Sequence, residues 1–256
     1  MKQATSSGPS SREMEQIGWL EFRKFVPGKI DTVLLPLGTM EAHGVIPNGT
    51  DIMIPVALAR DIASRVNAMI APVIPYGFTG ALDAYPGCFT IPEDVYRNYV
   101  RAVLIGLTKT KFKNIILLNG HGGGQTAILS ALAQEVGRET GTRMLVVNWW
   151  SYCSDVCREV FGEDGGHAGN TETAYIMAID PSLARKQDYK PNMATAIPAP
   201  NTWSAYPFPS SILLYKAGEG LPDFDLKKAK AYFEKVNDKV ARLIEETIDK
   251  WNLAGL

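Results

Sequence analysis

The three histidines of this chain all stand in polar, glycine-flanked stretches: "MEAHGV" around His43, "NGHGGG" around His121 and "GGHAGN" around His167. None lies on an apolar helical stripe. Carboxylates accompany them, with Glu41 two residues before His43, Asp51 eight after it and Glu172 five after His167. Imidazole with carboxylate oxygen suits zinc, manganese or iron, and with no cysteine beside these motifs a thiolate zinc site is excluded. So many candidate ligands exceed what one catalytic metal takes from protein. Two cations about 3.5–4 Å apart, bridged by a carboxylate and a hydroxide, would use them.

Plainer roles compete for the same residues. Asp51 is placed to cap a helix starting at 52, Glu41 to sit on the surface, and Glu172 to lie exposed in the first turn of a helix over residues 170–179. The glycines of "NGHGGGQT" permit close approach of backbone to a ligand, and the N–H groups of Gly123 and Gly124 are candidate oxyanion donors. A dinucleotide fingerprint starting at Gly120 would need glycine where Gln125 stands, and a P-loop would need Gly-Lys-Ser/Thr; both fail. No G-x-S-x-G elbow occurs to make "HGGG" the oxyanion loop of a serine esterase. Trp149 and Trp150 are candidates for an apolar wall against a flat substrate, or else core residues.

Something must bring these scattered groups together. Residues 32–38, 69–77, 114–120 and 143–150 are near-continuously apolar and read as buried strands, while residues 52–66, 93–110 and 125–139 have helical spacing. In the second of these helices Val95, Tyr99, Val103 and Leu107 mark the expected apolar face. Such alternation predicts an α/β fold of three layers, a largely parallel sheet flanked by helices. Ligands of open sheets bind outside the carboxyl ends of strands, where Glu41, His43, Asn119, His121 and the two tryptophans fall. Beyond 185, five prolines interrupt regular structure through residues 190–211, and Trp203, Tyr206 and Phe208 ask for burial there. A long helix is expected over residues 225–251.

Composition sets the outer limits. With 256 residues, 46% of them hydrophobic, the chain suits one domain over 13–256 behind a loose tail at 1–12. A formal net charge of −1 gives no reason to expect nucleic acid or an anionic membrane, so the expected partner is a small molecule. No apolar run reaches a membrane span and the start lacks a secretory apolar core, which points to the cytoplasm. Cys88, Cys153 and Cys157 are too few and odd in number for a disulfide framework, and Cys153 and Cys157, four apart, read as buried thiols.

Taken together, "EAHGVIPNGTD" (41–51), "NGHGG" (119–123) and "HAGNTET" (167–173) resemble the creatininase (creatinine amidohydrolase) family in motif and in order, over about 130 residues. The resemblance implies a two-metal hydrolase, with Zn and/or Mn, or Fe, and a homo-oligomer, often a hexamer. It further implies that Glu41, His43, Asp51, His121 and Glu172 ligate the metals, with Asp51 bridging, and that His167 is the acid/base. The chain departs from the family's pattern in lacking a second histidine after His43, in Gly124 where many members have Asn, and in Leu82 where a histidine is usual. The expected activity is hydrolysis of a C–N bond in a small cyclic amide, formamide or related compound. The alternative is hydrolytic C–C ring opening of a cyclic ketone or diketone, such as an oxidised inositol, at the same centre.

Overall fold

A computed structural model describes residues 8–256. Four strands, β1 (Thr32–Leu37), β2 (Ala68–Ile70), β3 (Asn114–Asn119) and β4 (Arg143–Asn148), form a wholly parallel sheet in the order β2-β1-β3-β4. β1 and β3 run side by side from Thr32 opposite Asn114 to Leu37 opposite Asn119, so both strands end at one level. Every residue of both is buried. Their side chains divide by parity: Leu34, Ile116 and Leu118 enter one core, Val33, Leu35, Ile115 and Leu117 the other. That division, set by the two-residue repeat of a strand, is why both faces need a helical layer.

On one face pack α1 (Trp19–Phe25), α3 (Glu93–Lys109) and α4 (Gly123–Thr140). The other face carries α2 (Thr50–Ile62), α7 (Asn170–Ile179) and α8 (Leu226–Leu253), while α5 (Trp149–Tyr152) and α6 (Ser154–Phe161) follow β4 directly. A small second sheet joins β5 (Gly166–His167), β6 (Ala194–Ala196) and β7 (Ile212–Leu214) in the order β5-β7-β6. The fold class is the expected one: α/β, with a mostly parallel central sheet between helices.

Several elements differ in detail from the expectation. The buried face of α3 is Tyr96, Val100, Leu104 and Leu107, whereas Val95 and Tyr99 are 52% and 53% exposed. A strict four-residue step overshoots the 3.6-residue turn, and the true stripe corrects with a three-residue step from 104 to 107. The second strand stops at Ile70, because Pro72 and Pro75 cannot donate to a ladder, although Ile74 still bridges to Leu37. Of the expected loose tail, residues 1–7 lie outside the described residues. Arg12 is held, its carbonyl accepting from Ile70 N–H at 2.7 Å and its guanidinium donating to Ala68 O at 3.1 Å.

Two glycines let α2 start against the sheet. A Cβ on Gly38, just past β1, would lie 2.3 Å from the Asp51 carbonyl oxygen, and one on Gly120, just past β3, would lie 1.9 Å from the same atom. Backbone touches backbone there, so neither side can yield. Gly120→Ala should therefore destabilise the protein by at least about 3 kcal/mol. Gly141→Ala, at φ 70° with open space around it, should cost only about 1 kcal/mol. Urea unfolding of both variants checks the contrast, and equal losses would refute the account of Gly120.

Candidate metal centre and its cavity

Five loops and helix starts converge outside the carboxyl ends of β1 and β3. The loop after β1 carries Glu41 and His43, the first turn of α2 carries Asp51, and the loop after β3 carries His121. β5 supplies His167, and the first turn of α7 supplies Glu172. The expected surface and exposed roles for Glu41 and Glu172 do not describe this place, since both are buried, as are His43, Asp51 and His121. Asp51 does not cap a helix starting at 52: α2 starts at Thr50, so Asp51 lies in its first turn, makes no side-chain cap and points into the cluster.

A buried amide network holds the His121 loop. Asn119 Oδ1 accepts from the His121 backbone N–H at 3.1 Å and from Gln125 Nε2 at 3.0 Å. Its Nδ2 donates to His121 O at 2.7 Å and to Asn148 Oδ1 at 2.8 Å. Gln125 Oε1 in turn accepts from Phe78 N–H at 3.2 Å. Gln125, which in the sequence served only to exclude a dinucleotide fingerprint, is thus a positioning residue. Its signal was a fully buried amide on the inward face of an apolar helix, which needs partners.

Asp51 divides the cluster in two. Its Oδ2 lies 2.8 Å from His121 Nδ1, which is also 3.1 Å from Glu41 Oε2. Its Oδ1 lies 3.0 Å from His43 Nε2, which is also 3.7 Å from Glu172 Oε2. Glu41, Asp51 and His121 therefore form one triad and His43, Asp51 and Glu172 a second, each with donor atoms within 4.8 Å of one another. Ligands bound at about 2.0–2.2 Å sit roughly 3–3.5 Å apart around one cation, which is the spacing seen.

Hydrogen bonds fix the imidazoles. A carbonyl can only accept, so His43 Nδ1 carries its proton toward Glu41 O at 2.9 Å, leaving Nε2 to face the acids. Nε2 is buried and, although close to Asp51, has no hydrogen bond. A buried nitrogen aimed between two carboxylates, with no aligned hydrogen bond to either, is what a cation ligand looks like. The donor set fits a divalent metal. His167 Nε2 donates to Ala42 O at 2.7 Å, so its Nδ1 is the free atom, 3.8 Å from Glu41 Oε2. Its side chain is 21% exposed and its ring lies 4.2 Å from that of His43.

Without a cation the charges answer one another. Burial disfavours the imidazolium of His43, but Asp51 and Glu172 outweigh it and raise its pKa from 6.5 to about 10. Burial likewise opposes charge on His121, yet Glu41 and Asp51 hold it well above its usual value. Burial raises Glu172, which His43 only partly offsets. For Asp51 burial is overcome by His43 and His121, and its pKa falls.

A cavity of about 560 Å³ opens over the cluster. Gly123, Gly124 and Trp150 line it, as expected. Trp149 does not; it turns into the core against Tyr175, ring centroids 5.3 Å apart, because successive helical residues point in different directions. A Cβ on Gly124 would meet Phe78 at 2.7 Å, so the missing side chain makes room for that ring. Leu82 lines the cavity too. The proline-rich segment lines this chain's own cavity through Ile197 and Phe208, and Tyr85 Oη donates to Phe208 O at 2.8 Å; Phe208 is buried as expected, but Trp203, stacked on it at 5.5 Å, and Tyr206 stay exposed.

A sequence model of the creatininase family, described as creatinine amidohydrolase, matches residues 15–244. The chain belongs to the creatininase family. It is 24% identical to the creatinine amidohydrolase of Pseudomonas putida over 186 residues, 66% of this chain and 72% of that protein. It is 30% identical over 162 residues to the mycofactocin precursor peptide peptidase of Mycolicibacterium smegmatis, 59% of each chain. The 3-dehydro-scyllo-inosose hydrolase of Thermotoga maritima is 25% identical over 168 residues, 61% of this chain and 53% of that one. A crystal structure of creatininase shares the fold at a TM-score of 0.80 and 19% identity, covering 93% of this chain and 98% of that one. This creatininase-family chain is accordingly a hydrolase of the metal-dependent amidohydrolase type. Zn-Zn and Mn forms exist among the creatininases of like fold.

The raised pKa of His43 has a stability consequence in metal-stripped protein. A basic group whose pKa rises on folding adds stability in full below its unfolded value near 6.5 and loses it as pH climbs toward about 10. Chelator-treated protein should therefore melt lower at pH 9.5 than at pH 6.5, while metal affinity rises over the same range as protons leave the ligands. A melting temperature that is flat or rises with pH in the stripped protein would contradict the buried His43–Asp51 pair.

Proposed function

We propose that this creatininase-family hydrolase cleaves a C–N bond of a small amide at a centre of two divalent cations. Glu41, Asp51 and His121 would hold one and His43, Asp51 and Glu172 the other. The observation that carries this is the orientation of Asp51, whose two oxygens face different histidines. Charge supports it, since three buried carboxylates leave a negative excess that a single dication would not cover. Held there, the cations supply Lewis acidity toward a carbonyl oxygen and make water a nucleophile near neutral pH. Zinc and manganese both suit the ligands.

The protein's own groups do the rest. His167 is held by Ala42 through Nε2, so Nδ1 accepts a proton from the attacking water and returns it to the leaving nitrogen. Gly123 and Gly124 stand in the first turn of α4, where backbone N–H groups lack intrahelical acceptors and can stabilise a developing oxyanion. Trp150 and Phe78 offer flat apolar surface on the cavity wall. The apolar lining at Leu82, where the family's pattern has histidine, favours one rival on the same centre, hydrolytic C–C opening of a cyclic ketone. Release of ammonia or amine separates the two. The homo-oligomer implied by the resemblance finds support in the exposed apolar side chains of Tyr76, Val95 and Tyr99 around a shallow groove.

Elemental analysis of protein purified without chelator should find about two equivalents of metal per chain, falling sharply in Asp51→Ala. One equivalent lost without change at the second site would remove the bridging role. His167→Ala should keep its metal and lose activity by roughly 10²–10⁴-fold; loss of metal in that variant would make His167 a ligand instead.

A further inference from the structure

The cavity has a second polar pole away from the acidic cluster. Arg158 on α6 is the only lysine or arginine lining it among the described residues. Ser154 stands four residues earlier on the same helix, hence on the same face, and Ser151 on α5 lines the cavity beside it. Neither serine hydroxyl has a hydrogen-bond partner among the described residues. The present partner of Arg158 is Asp164, with Nη1 2.5 Å from Oδ1, and the two side chains are 53% and 40% exposed.

An exposed pair of this kind holds weakly. An incoming carboxylate can therefore displace Asp164 at little cost and engage two guanidinium N–H groups at once, a geometry Arg favours. Asp164 stands three residues before His167, so the two Cα atoms lie within about 10 Å of each other, near enough for one substrate to reach both. The lining also includes apolar Phe78 and Leu82. The volume, about 560 Å³, falls within the roughly 300–1,000 Å³ of sites that take drug-sized ligands, more than one small ring needs.

We infer that the substrate carries a carboxylate remote from its scissile amide, and that Arg158 binds it with Ser151 and Ser154. The inference rests on the hydrolytic reading, because the amide at the acidic cluster fixes the other end of the substrate. It makes Arg158 a specificity residue and Asp164 its internal competitor, which keeps the guanidinium oriented until the carboxylate arrives.

The test uses calorimetric titration of the metal-loaded, full-length protein with α,ω-dicarboxylates of four to eight carbons and with the monocarboxylates of equal length. At least one dicarboxylate should bind about tenfold tighter than its monocarboxylate. That preference should vanish in Arg158→Gln, and should grow in Asp164→Asn, where the competitor is gone. A merely structural ion pair would weaken binding in both variants alike. No preference for any dicarboxylate, or one that survives Arg158→Gln, overturns the inference. Asp51→Ala separates this failure from failure of the metal reading: monocarboxylate binding indifferent to that change counts against the cations, while the ratio of dicarboxylate to monocarboxylate still reports on Arg158.

Discussion

Three carboxylates buried within a few ångströms of one another repel, and the site exists only because positive charge is brought to the same spot. In the bare protein Asp51 stands between two histidines, with His43 on one oxygen and His121 on the other. On the proposed reading the same atoms would hold cations in place of protons. Much of the surrounding architecture serves this one juxtaposition. β1 and β3 end in register, so their loops start from one level. Gly38 and Gly120 remove the side chains that would keep α2 from bringing Asp51 between them. Asn119 and Gln125 then fix the loop that carries His121 through hydrogen bonds with no exposure to water, where amide geometry is most costly to break.

The cavity over that centre is built by different means. Its floor comes from strand ends and helix starts, its walls from segments with little regular structure. The stretch around Phe78 and the proline-rich stretch around Phe208 meet through Tyr85 and a backbone bond from Phe208 N–H to Ala81 O at 3.3 Å. Loops carried on a rigid sheet can change without disturbing the ligands beneath. That separation accounts for a family in which creatinine, a peptide precursor and a keto-inositol derivative appear in the names of relatives. In this chain the walls combine apolar Phe78 and Leu82 with Arg158, the one guanidinium lining the cavity among the described residues.

Much of this was legible from residue order. The strands of the central sheet, β1 and β3 above all, show as short apolar runs because both faces are covered. The residues that the fold gathers into the buried cluster stand out because histidines are few in the chain and each lies in a glycine-flanked motif. What misled was finer. Spacing alone puts the apolar face of the helix after residue 92 one residue out of phase, since Val95, Tyr99 and Val103 are as apolar as Tyr96, Val100 and Leu104 and only packing tells them apart. Trp149 and Trp150 are chemically equal neighbours, yet one fills the core and the other the cavity, a choice made by the short helix that replaces the expected strand end.

By itself the sequence determined the kind of fold and the donor chemistry of the candidate site: a parallel sheet from strand and helix alternation, and imidazole with carboxylate oxygen, without thiolate, which suits zinc, manganese or iron. Local pattern suffices there because hydrophobic period and ligand type are properties of single residues. Tertiary structure alone decided how Asp51 turns its two oxygens, that His43 Nε2 lies between Asp51 and Glu172, and that Ser151, Ser154 and Arg158 share a cavity with residues more than a hundred positions earlier. Those are relations between distant atoms, and only packing of the helices on the two faces of the sheet sets them.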